Sequence, residues 1–250
     1  MDPIQVELEG ERGRITADAV QEALRQLLIL AKDAANSSPG QAGGAWVVER
    51  LELGSAIVAI ANPAAPGVPA IIDAGLDALR ATAELPRLWT TRMVGAVRKL
   101  GRLPGRHGVE AVSISTLGVS RAIDARMATQ AESALTTTEI SLASVRGRLD
   151  TWSSRRGIPQ VGMTLADGGV IQVHYSDAMV PLVMPLLDRE VEAWGQIERN
   201  AAGQRLRLRL EGIELAAPPA RMVPVHEVAG LYADLWPGYT ASDVMPEVRE

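Results

Sequence analysis

Arg205, Arg207 and Arg209 alternate with Leu206, Leu208 and Leu210. A period of two belongs to a β-strand, whose successive side chains leave on opposite faces. This segment is therefore expected to send three guanidiniums to one side of a sheet and three leucines to the other. Four more segments of the second half carry strand patterns: Val145–Asp150, Pro159–Leu165, Val170–Tyr175 and Val191–Arg199. Asp167-Gly168-Gly169 supplies the hairpin turn between the second and third strands, and Asn200–Gln204 the turn between the fourth and fifth. Between the third and fourth, Ser176 or Asp177 caps a helix expected to run through about Leu187. The order predicted for residues 141–216 is three strands, a helix and two strands.

The first half has a different order. Ile4, Val6 and Leu8 alternate with Gln5, Glu7 and Glu9, a half-buried strand ending at Gly10. Thr16 caps a helix in which Val20, Leu24, Leu27, Leu28 and Ala31 recur at helical spacing to about Ala35. A loop over 36–44 leads to strands at Trp46–Leu53 and Ala56–Ala61, joined at Gly54-Ser55. Helices follow from about Pro69 and from about Thr91 to Leu103, the latter stopped by Pro104-Gly105. Val109–Thr116 reads as a strand and Ser120–Ala128 as a further one. The fold class is α+β: a β-α-β-β-α-α-β sandwich over 1–128, a connection over 129–140, a five-stranded barrel with one helix over 141–216, and a tail with short helices over 217–250.

The element order of 141–216 resembles the OB-fold, a small five-stranded barrel. The resemblance rests on order and length, and Gly147 in the first strand suits the bend that such a barrel needs. A different small barrel with an inserted helix fits the same pattern. The whole layout resembles two-domain bacterial proteins that accompany small regulatory or toxin–antitoxin genes, with no single family identified.

Composition excludes several chemistries. There is no cysteine and there are three histidines, His107, His174 and His226, in three different segments. A disulfide framework, a thiolate metal site and a cysteine nucleophile are thereby removed. The chain also lacks a phosphate-binding Gly-rich loop with Lys, a dinucleotide fingerprint, His-Glu-x-x-His and Gly-x-Ser-x-Gly. The expectation is a protein without catalysis, cofactor or metal. The polar, acidic start and the lack of any long apolar run lead to the expectation of a cytoplasmic chain with no membrane partner.

Three surfaces stand out as binding candidates. Between Leu85 and Gly108 lie Arg87, Arg92, Arg98, Lys99, Arg102 and Arg106 with no acid, a stripe suited to a phosphate backbone or to acids elsewhere on the chain. Trp89 and His107 are the groups there able to stack on a base. In the barrel, Arg146, Arg148, Arg155, Arg156, Arg205, Arg207 and Arg209 could track a single strand, with Trp152, Tyr175 and Trp194 as stacking platforms. The segment 141–220 nonetheless balances nine Arg with nine acids, so cross-strand pairs with Glu192 and Glu198 are the competing expectation. In the acidic tail, Leu231, Tyr232, Leu235, Trp236 and Tyr239 form an aromatic cluster, followed by Arg249. Such anchors suit a protein partner, either another protein or a second copy of this chain, or docking on the chain's own domains. The leading expectation is a regulatory or adaptor protein acting through a protein partner, on its own or within a nucleic-acid complex. The alternatives are direct DNA or RNA binding through the basic helix and barrel, and an antitoxin-like neutraliser acting through the tail.

Overall fold

The computed structural model of the chain describes residues 2–11, 13–37, 44–52, 56–155 and 158–217. It is an α+β fold of two layers of secondary structure followed by a closed barrel. In the first part, β1 (Ile4–Glu9), β2 (Val47–Glu52), β3 (Ala56–Ala61), β4 (Ala111–Thr116) and β5 (Val119–Ala122) form one antiparallel sheet in the order β2-β3-β1-β4-β5. The alternation read from β1 is realised: Ile4, Val6 and Leu8 are buried, while Gln5 and Glu7 are half-buried on the opposite face. β3 sits between β1 and β2, which is why its residues form a continuous apolar run.

Helices α1 (Ala17–Asn36) and α2 (Val68–Ala81) lie against this sheet, and α3 (Thr91–Leu100) packs on α1. The Thr16 hydroxyl accepts from Ala19 N–H, and the Thr90 hydroxyl accepts from Met93 N–H, each satisfying one of the free donors of a first turn. Trp89 enters the core just before α3 and is 1% exposed. Its indole N–H donates to Ile71 O at 3.1 Å, and its ring lies against Gly75, where a Cβ would overlap it. The proposed role of Trp89 as a base-stacking surface is therefore corrected: the aromatic ring does more for the free energy by leaving water within the core.

The segment after β5 differs from expectation. Residues 125–135 form a helix, α4 (Ala125–Leu135), and not the end of a strand followed by a connection. The Asp124 carboxylate caps it by accepting from Met127 N–H at 2.9 Å. Met127, Ala128, Ala131 and Ala134 make up its buried face, which packs on α3. At the edge of the sheet, Arg121 of β5 is 12% exposed at its side chain and bonds to both Asp73 and Asp77 of α2.

The barrel comprises β6 (Glu139–Arg155), β7 (Ile158–Leu165), β8 (Val170–His174), β9 (Glu190–Arg199) and β10 (Arg205–Leu215). It closes in the order β10-β8-β7-β6-β9, with β10 parallel to β8 and the other pairs antiparallel. This closed, mixed, five-stranded barrel is compatible with the OB-like arrangement. β6 begins at Glu139, six residues before the expected strand, and serves two neighbours: its first half pairs with β9 and its second with β7. Both pairings meet at Gly147, where a Cβ would stand 2.4 Å from Thr164 O, so a larger residue would push the strands apart. Leu149, Val161, Met163, Ile171, Val173, Val191, Ile197 and Leu208 fill the interior and are fully buried. Each such side chain contributes about 1.5–3 kcal/mol by leaving water.

The expected helix after β8 is broken into 3-10 turns at Asp177–Met179 and Met184–Leu186 around a single α-turn, α5 (Val180–Val183). Pro181 and Pro185 lack the N–H groups that a continuous helix requires.

Residues Met1–Leu215 form one compact unit, and the turn between β9 and β10 shows how the sandwich and barrel are joined. Gln204 donates from Nε2 to Leu85 O at 2.9 Å and accepts at Oε1 from Leu85 N–H at 2.7 Å. Asn200, 3% exposed, donates from Nδ2 to Ala134 O at the end of α4 and accepts at Oδ1 from Ala202 and Gln204 N–H. Replacing Asn200 with Ala strands several of these groups at once. We expect a loss of about 1–3 kcal/mol in unfolding free energy, measured by urea denaturation, with a smaller loss for Gln204→Ala.

The Arg121 pairing adds a pH dependence. Hydrogen bonding to Arg121, opposed in part by burial, holds the Asp77 carboxyl below the ordinary carboxylate range. A lowered folded-state pKa stabilises the fold above the unfolded value and loses that contribution as pH falls through the folded value. Wild-type stability should therefore drop below about pH 4 more steeply than that of Arg121→Met, which starts less stable at pH 7. Thermal melts across pH 2.5–7 (about the range of the carboxylates) check this.

Candidate anion-binding cleft

α3 owes its cationic side to spacing. Met93, Val94, Val97 and Leu100 are buried against α1 and α4, which leaves Arg92, Arg98 and Lys99 to the outer surface. β10 owes its own to alternation: Leu206, Leu208 and Leu210 are buried while Arg205 and Arg207 are half-buried and Arg209 is exposed. In the sequence these features lie about a hundred residues apart. In the structure they line one cleft of about 580 Å3, with Arg92, Arg98 and Lys99 on one wall and Arg207 on the other.

Polar, uncharged groups complete it. Gln160 of β7 and Gln172 and His174 of β8 line the barrel side, while Gln26 of α1, Thr91 and Thr137 line the helical side. A second recess of about 260 Å3 shares Arg92, Gln160 and Gln172 and is also lined by Lys32, Asn36, Asp150 and Thr164. Two polar atoms of the cleft wall, Gln26 Oε1 and Arg98 Nε, are buried with no hydrogen-bond partner among the described residues.

Carboxylates answer part of this charge. Asp33 lies 3.3 Å from Arg92 and accepts from the Thr90 hydroxyl. Glu132 takes both Arg98, at 3.0 Å, and Arg102. Glu198, 7% exposed, accepts from Arg207 at 3.4 Å, Arg209 at 3.2 Å and Thr137 Oγ1 at 3.2 Å. Three carboxylates thus answer five guanidiniums, of which Arg92, Arg98 and Arg207 line the cleft. The expected cross-strand pairing is found at Glu198, which is in register with Arg207. Burial holds the His174 imidazole below its ordinary range, helped by Arg207 and Arg209 and opposed by Glu198.

The remaining candidates fall elsewhere. Arg87 and Arg205 line a separate recess with Asp167 and Arg199. α3 ends at Leu100, so Arg102 and Arg106 lie past the helix and Arg106 does not extend its stripe. Arg146 is 3.9 Å from Glu190, and Arg148 lies between Asp188 and Asp150. Trp152 and Trp194 are exposed at 43% and 40%, whereas Tyr175 is 5% exposed and cannot offer its ring face to a base, a correction to its expected role. Its burial pushes the phenol up from its ordinary range. His107 is exposed in a loop at positive φ. The Arg155 side chain, Arg156 and the tail residues Leu231, Tyr232, Leu235, Trp236, Tyr239 and Arg249 lie outside the described residues.

Sequence reasoning missed the amides. Gln172 and His174 alternate with Ile171 and Val173, so their outward direction was legible, but nothing in the pattern told that α3 stands opposite. Among the described residues, no group of three or more His, Asp or Glu is placed to hold a metal ion, and no helix is long and apolar enough to cross a membrane. No protein-family model matches the chain, and no curated protein is similar to it.

The electrostatics of His174 are open to direct measurement. Arg207→Gln removes one of the cations that disfavour the imidazolium and leaves Glu198 less neutralised, so the His174 titration should move upward towards 6.5. NMR titration of the imidazole checks the direction. In the wild type, the lowered value also implies stability that is full above about pH 6.5 and declines as pH falls through the folded-state value.

Proposed function

We propose that this chain is a non-catalytic binding protein that takes a phosphodiester backbone into the cleft between α3 and the barrel. The observation that carries the reading is convergence: the basic helix and the arginine strand, each ambiguous alone, line the same concavity. Phosphate contacts from Arg and Lys supply most of the affinity in sequence-independent nucleic-acid binding. Arg92, Arg98 and Lys99 face Arg207 across the cleft, and the pair that Arg98 makes with Glu132 is partly exposed, so a phosphate can compete for Arg98 at little cost.

The barrel supports the same reading. Its closed five-stranded order is compatible with an OB-like barrel, a fold in which the face of the second and third strands binds oligonucleotides. Here those strands are β7 and β8, and their Gln160, Gln172 and His174 line the cleft. Amides placed beside a cationic rim suit hydrogen bonding to unpaired bases or sugars. The cleft is of small-ligand size, which favours a short single-stranded segment over a duplex. The adaptor and antitoxin-like readings depend on the tail and draw no support from this cleft.

Fluorescence anisotropy with labelled single-stranded DNA and RNA tests the proposal. Binding is expected at about 50 mM salt, weakening steeply as salt rises. Arg92→Glu with Lys99→Glu should weaken it at least about tenfold and reduce the salt dependence by roughly one counterion per lost contact. Absence of binding at low salt, or binding indifferent to these changes in a variant that still melts normally, overturns it.

A further inference from the structure

The barrel closes on itself, so its strands offer no open edge. The sandwich sheet ends in two edge strands. β5 is four residues long and is held to α2 through Arg121. β2 differs: all six of its residues are exposed, including Val47 at 56%, Val48 at 50% and Leu51 at 60%.

The direction of these side chains follows from the pairing of β2 with β3. Val48 stands opposite Ile60 and Leu51 opposite Val58, and both partners are buried in the core. The register shifts between Val48 and Arg50, so Glu49 is the extra residue of a bulge. Without it, residues three apart would leave on opposite faces; with it, Val48 and Leu51 both extend the helix-side apolar row beyond the edge of the sheet.

We propose that β2 pairs antiparallel with β2 of a second copy of this chain about a twofold axis, in the register that sets Val48 opposite the other copy's Leu51. Self-complementarity carries the assignment. In this register Glu49 of each chain faces Arg50 of the other, and the apolar contact forms twice by symmetry. Arg50, which also bonds Glu52 at 2.8 Å within its own strand, then lies between two carboxylates. The two sheets join into one across the axis, and the free backbone groups of both edges are satisfied.

The absence of cysteine makes the register directly testable. Residues 48 and 51 of one strand are roughly 9–10 Å apart, too far for a disulfide, whereas directly opposed residues of an antiparallel pair are within range. The full chain should sediment as a dimer at about 100 μM, above the micromolar Kd expected of a small edge interface. Val48→Cys with Leu51→Cys should oxidise to a covalent dimer, and Val48→Cys alone should not. Glu49→Arg sets like charges opposite each other twice and should weaken the dimer about tenfold; adding Arg50→Glu should restore most of it. A monomer at that concentration overturns the proposal. So does a dimer that ignores Glu49→Arg, or one that Val48→Cys alone cross-links as well as the pair. None of these readouts depends on the cleft.

Discussion

The Asn200–Gln204 turn makes the sandwich and the barrel one body. A side-chain amide can mimic a peptide unit, and Gln204 does so by giving and taking a hydrogen bond at Leu85. Asn200 commits its oxygen to its own turn and its nitrogen to Gln204 and to the last turn of α4, so one side chain ties the turn both to itself and to the sandwich. Glu198 and Arg207 lie within three residues of either side of it. The position of this turn thereby sets the charged floor of the barrel opposite the cationic wall of α3. If the two parts were merely tethered, Arg98 and Arg207 would share no cleft, and neither stripe would be more than a solvated face.

Within that cleft the cations have different tasks. A partly exposed pair such as Arg98 with Glu132 contributes only about 0–1 kcal/mol and exchanges partners readily. Glu198 is another matter. At 7% exposure its charge is kept by Arg207, Arg209 and Thr137, and removing such donors from a buried carboxylate costs several kcal/mol. The arginines of β10 are therefore first counter-ions for Glu198 and only secondarily a charged surface. Of the α3 cations, Arg98, whose carboxylate Glu132 is 43% exposed, is the one able to turn towards an anion. His174 sits on the barrel side with its proton disfavoured, so at neutral pH it offers a neutral imidazole among the amides.

The parts of this fold that were legible in the sequence are those in which one periodicity sets one buried face. β1, α1 and the five barrel strands were found this way, with ends displaced by up to six residues, and β3 by its continuous apolar run. The misses have local causes. The first half of β6 carries Ile140 and Leu142 on the exposed side, at 62% and 73%, so its pattern shows no apolar row turned inward. α4 buries alanines more than large side chains, a weak signal beside a β-branched residue such as Ile123, although the Asp124 cap and the spacing of Met127, Ala131 and Ala134 were available. The helix after β8 has a helical composition, but two prolines leave it a single α-turn between 3-10 turns. Of the cleft, the cations were legible; the amides were not, because Gln and Asn carry no periodic signature.

What a period of two cannot express is what lies beyond the face it defines. Arg207 and Val48 both break the simple rule of apolar inside and polar outside, in opposite senses. Arg207 points away from the barrel interior yet is only partly exposed, because α3 stands across from it. Val48 points to the helix side of its sheet yet is half exposed, because β2 overhangs the helices that cover β3 and β1. Both departures arise where the sheet meets something outside its own hydrogen-bonding pattern. In the first case that neighbour belongs to the same chain and creates a polar concavity. In the second the sheet simply ends, leaving an apolar row and open backbone groups at the same edge. Hydrophobic burial and hydrogen-bond satisfaction then favour the same remedy, another strand.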